Sequence, residues 1–235
     1  MDTTALDPVG ATVTDVSLLD PGPELVAELT GLLAEHGVLV LPDQPIDDTA
    51  FLALMRSLGT LTFTTGETPV EGFPDLNVIS NVGRTTPPRS SFHVDSSYLA
   101  SPPSYTALRA VQIPSQGGET LFTNQYRAYE TLPDDLRERL AGRSITHVVT
   151  GLELGPDEET TATHPVFRTH PISGRTAVYL STPARRAAVS PEIGWVRNTG
   201  WVAVVSSSGP SSRPVTTWVM LRPASRSRRS SGNVS

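Results

Sequence analysis

The spacing of apolar residues along the chain limits the folds that it can adopt. Residues 25–36 carry leucines at the spacing of an amphipathic helix, and Gly37 ends it. A buried strand over 38–41 follows, and Asp47 is the N-cap candidate of a second helix that closes at Gly59. Short strand candidates then recur at 76–80, 106–113, 119–123, 147–149 and 177–180. This order predicts an α+β chain, mainly β, built as a β sandwich or jelly roll with a helical N-terminal layer.

Composition excludes several classes of site. The 235 residues suit one domain and include no cysteine, which excludes disulfides, thiolate zinc sites and cysteine nucleophiles. They include no lysine, which excludes Schiff-base chemistry and a P-loop lysine. The net charge of −6 argues against general nucleic-acid affinity. No signal peptide and no apolar run of the ~20 residues that span a bilayer are visible. We therefore expect a cytoplasmic protein with a small-molecule substrate and neither nucleic acid nor membrane as partner; a homo-oligomer is compatible with the sequence.

A change of composition divides the chain near residue 192. Residues 1–192 hold all 24 acidic residues and 12 of the 18 arginines, whereas 193–235 hold no acid, six arginines and all three tryptophans. We therefore expect one domain over 1–192 and an atypical Arg/Ser/Trp-containing segment over 193–235. Three interpretations stay open for this segment: a basic tail for an acidic partner, a disordered terminus, or out-of-frame translation, which we favour.

The tripeptide His93-Val94-Asp95 carries the clearest chemistry. On an extended strand, two residues that are two positions apart point to the same side and can close on one metal ion. Imidazole plus carboxylate is two thirds of the 2-His-1-carboxylate triad that holds non-haem Fe(II) and leaves positions open for oxygen chemistry. The tripeptide therefore predicts an iron site on a strand, and a second histidine elsewhere.

Further segments occur in the order and spacing of one enzyme family. They are Pro102-Pro103, Gly117-Gly118-Glu119-Thr120-Leu121-Phe122, Tyr129-Glu130-Thr131-Leu132, and His164-Pro165-Val166-Phe167-Arg168-Thr169-His170-Pro171 followed by Ser173-Gly174-Arg175. Together with His93-Val94-Asp95, this set resembles the taurine dioxygenase (TauD/TfdA) family over roughly residues 5–192. The resemblance implies a double-stranded β-helix, or jelly roll, and a dioxygenase that uses Fe(II), O₂ and 2-oxoglutarate as cosubstrate.

The resemblance also assigns roles to single residues. His93 and Asp95 match the first two iron ligands, and Thr120 matches the residue that hydrogen-bonds a carboxylate of 2-oxoglutarate. Ser96 and Arg89 match substrate-contacting positions.

The substrate pocket departs from that of the taurine-specific members. Tyr98 is expected in the pocket wall, while residues such as Thr64 and Glu67 stand where those members carry His and Tyr. We therefore expect a small polar or anionic substrate other than taurine.

The family pattern breaks after residue 192. Family spacing puts the distal histidine near residue 233, with an arginine for 2-oxoglutarate after it, but Asn233 stands there and no histidine follows His170. Codons for Pro-Val-Thr-Thr at 214–217 can read Pro-Gly-Asp-His in a shifted frame, which supports a frameshift. We expect a jelly roll that is incomplete at its C-terminus, poorly folded, and inactive or nearly so.

The histidines other than His93 are expected to have structural roles. His164 and His170 precede prolines in a segment that is structural in the family, so neither is expected as the missing ligand. His36 is expected to cap a helix, and His147 to be a strand residue.

Two other functions stay open: a non-catalytic jelly-roll binding protein derived from the family, and interaction through the Arg/Ser tail.

Overall fold

The described part of the chain, in a computed structural model, contains four helices and eleven short strands. The described residues are 1–62, 69–78, 92–111, 120–149, 155–156 and 158–181, together with the backbone of 217–221. The helices are α1 (Pro23–His36), α2 (Asp48–Leu58), α3 (Gln125–Glu130) and α4 (Asp134–Leu140). The strands are β1 (Asp2–Ala5), β2 (Ala11–Thr14), β3 (Val38–Leu41), β4 (Pro69–Val70), β5 (Phe73–Asn77), β6 (Tyr105–Arg109), β7 (Ser144–Val148), β8 (Thr161–Pro165), β9 (Phe167–Thr169), β10 (Thr176–Val178) and β11 (Thr217–Leu221). Within these ranges no helix combines the length and the apolar character that crossing a bilayer requires.

The first two helices form where the sequence predicts them. Pro23 lies in the first turn of α1, where the missing N–H would have no helical partner in any case. The helix ends at Gly37, whose φ of 79° lies in the region that favours glycine. The side chain of Asp47 accepts a hydrogen bond of 2.8 Å from the N–H of Ala50 and so caps α2. The predicted helix over 25–36 and the predicted cap are both confirmed.

Five strands form one mixed sheet in the order β1-β2-β3-β11-β6. β1 is antiparallel to β2, whereas β2 and β11 each run parallel to β3, and β11 also runs parallel to β6. In the register of β11, Val219 lies opposite Leu39 of β3 and Ala107 of β6. A strand from the atypical C-terminal segment therefore lies inside this sheet.

Helices α1 and α2 pack against β2 and β3 and bury the larger apolar core. The guanidinium of Arg109, on β6, pairs with the carboxylate of Asp48 and donates a 3.2 Å hydrogen bond to the carbonyl of Ile46, which fixes α2 to the sheet. Buried side chains of this core are Ala11, Val13, Leu18, Leu29, Leu33, Leu39, Leu41, Ile46, Phe51 and Leu54.

Two antiparallel hairpins, β7–β8 and β9–β10, form a second packed unit with α4. Leu140 of α4 packs with Ile145, Val166 and Val178, all of them buried. In the β7–β8 register Ile145 lies opposite His164. This unit thereby holds residues 159–181 in place, and those residues reach the candidate site.

Two strand predictions near the expected site are wrong. Residues 93–94 are irregular and 95–98 form a turn, because Ser96 adopts a left-handed φ of 49° that bends the chain straight after Asp95. Residues 120–122 are also irregular, and Asn124 already caps α3. The predicted strand 76–80 overlaps β5 by two residues, and β6 ends at Arg109 rather than at 113. Among the described residues, helices and strands are mixed and no closed barrel forms.

Candidate metal centre

The side chains of His93 and Asp95 converge. The Nε2 atom of His93 lies 2.9 Å from Oδ1 of Asp95. The two side chains are 40% and 27% exposed, so their ligand atoms are within reach of an ion from solvent. The predicted pairing of these residues is present, although a turn and not a strand produces it.

The turn after His93 aims the carboxylate back at the imidazole. Ser97 N–H donates to the carbonyl of Val94 at 3.4 Å, and Leu99 N–H donates to the carbonyl of Ser96 at 3.0 Å. A left-handed serine costs on the order of 1 kcal/mol, so contacts elsewhere must hold it. Val94, only 3% exposed, anchors the turn in the interior.

The second oxygen of Asp95 has a partner of its own. The hydroxyl of Thr106, on β6, donates a 3.2 Å hydrogen bond to Oδ2. Tyr105 and Ala107 pack on the larger core, so Thr106 between them faces the opposite side of the strand. Thr106 is not among the site residues predicted from the sequence, although this alternation indicates the face of the strand on which it lies. The arrangement leaves Oδ1 for a metal ion and orients it.

Residues from the second packed unit fasten both ends of the turn. The N–H of Val94 donates to Oγ of Ser181 at 3.2 Å, and the N–H of Ala100 donates to the carboxylate of Glu159 at 2.6 Å. The ring of His164 bonds carbonyls of the same turn. Sequence reasoning missed these anchors too, because no local pattern connects residues 59 to 87 positions apart.

The other predicted site residues differ in where they lie. Ser96 and Tyr98 share the turn and are partly buried. Burial raises the pKa of the Tyr98 phenol, and a hydrogen bond with Ser96 offsets part of that rise, so the phenol stays neutral and can donate. Thr120 is exposed in an irregular segment before α3, and its role stays a prediction. Arg89 lies outside the described residues.

A buried aromatic and cationic cluster lies behind the turn. His147 and His164 are fully buried, and their ring centroids are 5.3 Å apart. The ring of Tyr179 lies 5.2 Å from each, with the guanidinium of Arg168 over its face at 4.5 Å. Desolvation, with added repulsion from His164 and Arg168, lowers the pKa of His147 to about 4. The same burial raises the pKa of Tyr179.

The donor set at the turn fits a divalent iron ion in part. Imidazole nitrogen and carboxylate oxygen are ligand types that non-haem Fe(II) sites use, and 2.9 Å between them allows both to bind one ion. Over the part of the chain that the structure describes, no group of three His, Cys, Asp or Glu side chains could hold a metal. His164 and His170 are buried in the fold and do not complete the pair.

A family model for the taurine catabolism dioxygenase TauD, TfdA family matches residues 2–195. The match ends three residues beyond Glu192, the last acidic residue of the chain. The composition break and the end of the family match therefore coincide.

Several known proteins are similar in sequence to this chain. Pentalenolactone F synthase of Streptomyces avermitilis is 31% identical over 193 residues, which is 66% of this chain and 62% of that protein. The alpha-ketoglutarate-dependent 2,4-dichlorophenoxyacetate dioxygenase of Cupriavidus pinatubonensis is 29% identical over 202 residues, 74% of this chain and 70% of that one. A Schizosaccharomyces pombe candidate for an alpha-ketoglutarate-dependent sulfonate dioxygenase is 30% identical over 173 residues. The matched region spans only 44% of that yeast protein.

Solved structures share the fold. A taurine dioxygenase from Burkholderia xenovorans superposes with a TM-score of 0.64 and 26% identity, over 81% of this chain and 68% of that one. AAD-2, solved with Mn(II) and N-oxalylglycine, superposes with a TM-score of 0.59 at 21% identity and supports the fold alone. On the family match over 2–195 and these structural similarities, the chain belongs to the TauD/TfdA family, whose members are Fe(II)- and 2-oxoglutarate-dependent dioxygenases.

Proposed function

We propose that the site is built for Fe(II)- and 2-oxoglutarate-dependent oxidation of a small polar or anionic molecule. The observation that carries the proposal is the 2.9 Å approach of His93 Nε2 to Asp95 Oδ1. Family relatives named for sulfonates and for 2,4-dichlorophenoxyacetate support an anionic substrate. The proposal includes a jelly-roll arrangement of the strands.

Each residue of the turn has a defined task in this proposal. His93 and Asp95 hold the iron, and Thr106 orients the carboxylate of Asp95 through Oδ2. When bound, Fe(II) with 2-oxoglutarate and O₂ supplies the oxidising chemistry.

The cosubstrate and the substrate are held by hydroxyl and guanidinium groups. Thr120 donates to a carboxylate of 2-oxoglutarate, and the hydroxyls of Ser96 and Tyr98 orient the substrate. Arg89 pairs with an anionic group of the substrate. The partial burial of Ser96 and Tyr98 keeps bulk water from surrounding the reacting group.

We further propose that this chain binds iron weakly and turns over slowly. Its five histidines are His36, His93, His147, His164 and His170, and the last three are buried in the fold. Two protein ligands hold an ion less firmly than three. In this proposal a frameshift after codon 192 accounts for the lack of a histidine after His170. An intact reading frame in the resequenced gene contradicts that origin.

A second candidate is a non-catalytic binding protein that keeps the family fold. The observation that favours it is the lack of a three-ligand metal group among the described residues. Such a protein would bind a small anion at the same turn without needing iron.

A succinate assay on two forms of the protein separates these candidates. One form is the 235-residue chain, and the other is the product of the gene with its frame restored after codon 192. We expect Fe(II)-dependent succinate formation from the restored form, and slow formation from the present chain. Ordinary turnover by the present chain contradicts the proposed weakness. Absence of Fe(II)-dependent succinate from both forms favours the binding protein.

A further inference from the structure

We infer that His164 is a positioning residue that sets the shape of the turn carrying His93 and Asp95. The inference deepens the proposed function, since it concerns how the proposed metal ligands are held. It assigns His164 no direct contact with metal or substrate.

The contacts of His164 with the turn are specific. Its Nε2 atom lies 2.9 Å from the carbonyl oxygen of Ser97 and 3.1 Å from that of Leu99. Carbonyl oxygens only accept, so Nε2 must carry a hydrogen. One N–H therefore serves two carbonyls that lie two and four residues beyond Asp95.

The surroundings of His164 keep its ring from moving. The side chain has no exposed surface, and its backbone lies on β8 opposite Ile145 of β7. The rings of His147 and Tyr179 stand edge-on to it, at centroid distances of 5.3 and 5.2 Å. The N–H of His164 is thus a fixed donor, and it determines where the carbonyls of Ser97 and Leu99 lie.

The carbonyls that it binds belong to the strained part of the turn. Ser96 is left-handed, and the Leu99 N–H bonds back to its carbonyl at 3.0 Å. The buried N–H of His164, bonded to the carbonyls of Ser97 and Leu99, stabilises this turn conformation against an extended one. Without it, the chain after Asp95 is free to straighten, which would turn the carboxylate away from His93.

His147 provides a matched control. It is as fully buried as His164, lies on the neighbouring strand β7, and contacts the same Tyr179 ring. Neither of its ring nitrogens has a hydrogen-bond partner among the described residues. A substitution at His147 therefore disturbs the same cluster without removing a bond to the turn.

The experiment compares His164→Phe, His164→Gln and His147→Phe. Amide hydrogen exchange at Ser97 and Leu99 is measured first, without metal, and the Mn(II) dissociation constant is then measured by electron paramagnetic resonance. In His164→Phe we expect exchange at least about tenfold faster and Mn(II) binding about tenfold weaker, as for loss of groups that orient ligands. His147→Phe should stay near wild type in both, and His164→Gln should recover part of the loss because its amide can donate.

Each outcome bears on the inference separately from the proposed function. Unchanged exchange at Ser97 and Leu99 in folded His164→Phe overturns the inference, as does an equal change in His147→Phe. If wild type binds no Mn(II), the proposed metal site fails, but the exchange comparison still decides the role of His164. If His164→Phe does not fold, nitrogen NMR of wild type decides: we expect Nε2 to carry the hydrogen, and the Nδ1–H tautomer overturns the inference.

Discussion

At the scale of single residues, the carboxylate of Asp95 divides its two oxygens between two tasks. Oδ1 faces the imidazole of His93, and Oδ2 accepts from the hydroxyl of Thr106. Groups that orient a metal ligand typically change metal affinity by 10–100-fold when they are removed. The Thr106 hydroxyl is therefore expected to matter for metal binding without touching the metal.

Replacing Thr106 by Val keeps the shape of the side chain and removes the hydrogen bond. We expect the Mn(II) dissociation constant to rise about tenfold in Thr106→Val and to stay near wild type in Thr106→Ser. Thr163→Val is the control, because it removes a hydroxyl that bonds Thr146 on the β7–β8 hairpin instead of Asp95. Titration followed by electron paramagnetic resonance measures all four proteins, and equal constants for Thr106→Val and wild type contradict the assigned role.

The buried imidazole of His147 predicts sensitivity to acid. Its pKa is lowered from 6.5 to about 4 by burial, with His164 and Arg168 adding repulsion and neutral Tyr179 facing the ring. Well above pH 6.5 the group is neutral in both states, so stability is fully present there. As pH falls from about 6.5 to about 4, His147 becomes protonated in the unfolded chain but stays neutral in the folded chain, so the free energy of unfolding decreases.

Urea unfolding at pH 7.5 and pH 5 measures this effect. His147 should contribute a loss of about 2 kcal/mol over that interval, which His147→Phe should lack because phenylalanine does not titrate. The comparison between the two proteins cancels the other titrating groups that they share. The same loss in both proteins would show that His147 is not the source.

The sequence predicted the contact between His93 and Asp95 but not its cause. Alternation along a strand places residues two positions apart on one side, whereas here the left-handed Ser96 returns the carboxylate to the imidazole. Serine is not a residue whose type signals a positive φ. The bonds that hold it come from His164, Ser181 and Glu159, which meet the turn only in the folded chain.

At the scale of elements, local signals were sufficient wherever the cause of an element is local. The helix α1, the strand β3 and the cap of α2 follow from apolar spacing and from the residues at their ends. Pro133 lies between α3 and α4, where a proline cannot continue a helix because it lacks the backbone N–H. The strands predicted near the site were less accurate. A turn at 95–98 and the cap of α3 at Asn124 replace them, and strand propensity does not reveal either feature.

The cap of α2 gives a prediction at this scale. Asp47→Ala removes the 2.8 Å bond to the Ala50 N–H, and we expect the free energy of unfolding to fall by about 1 kcal/mol. The control is Thr49→Ala, an exposed change in the same helical turn, which should stay within about 0.5 kcal/mol of wild type. Urea unfolding at neutral pH compares the three. Equal losses in both variants would argue against a capping role.

At the scale of the whole molecule, β11 links the halves of the five-stranded sheet. Its backbone pairs with β3 on one side and with β6 on the other, although it lies in the acid-free segment beyond the family match. Composition alone could not place it, because a strand inserted between two distant strands depends on long-range pairing. The division of the chain at residue 192 stays a prediction.

Two truncations test the role of this strand. Removing 217–235 takes away β11 and uncovers the hydrogen-bonding edges of β3 and β6, so we expect a lower melting temperature and association through these edges. Removing 222–235 leaves β11 in place and should change the melting temperature little. Thermal unfolding and light scattering measure both. Identical behaviour of the two truncations would mean that β11 does not stabilise the sheet.

The most direct test of the metal site is an anaerobic calorimetric titration of Fe(II) into wild type, His93→Ala and Asp95→Asn. The asparagine keeps the shape of the aspartate side chain but removes the charge that Oδ1 presents to His93 Nε2 at 2.9 Å. We predict one Fe(II) per wild-type chain, bound weakly, and binding at least about tenfold weaker in each variant. The same stoichiometry and affinity in all three proteins would contradict the assignment of His93 and Asp95 as the metal ligands.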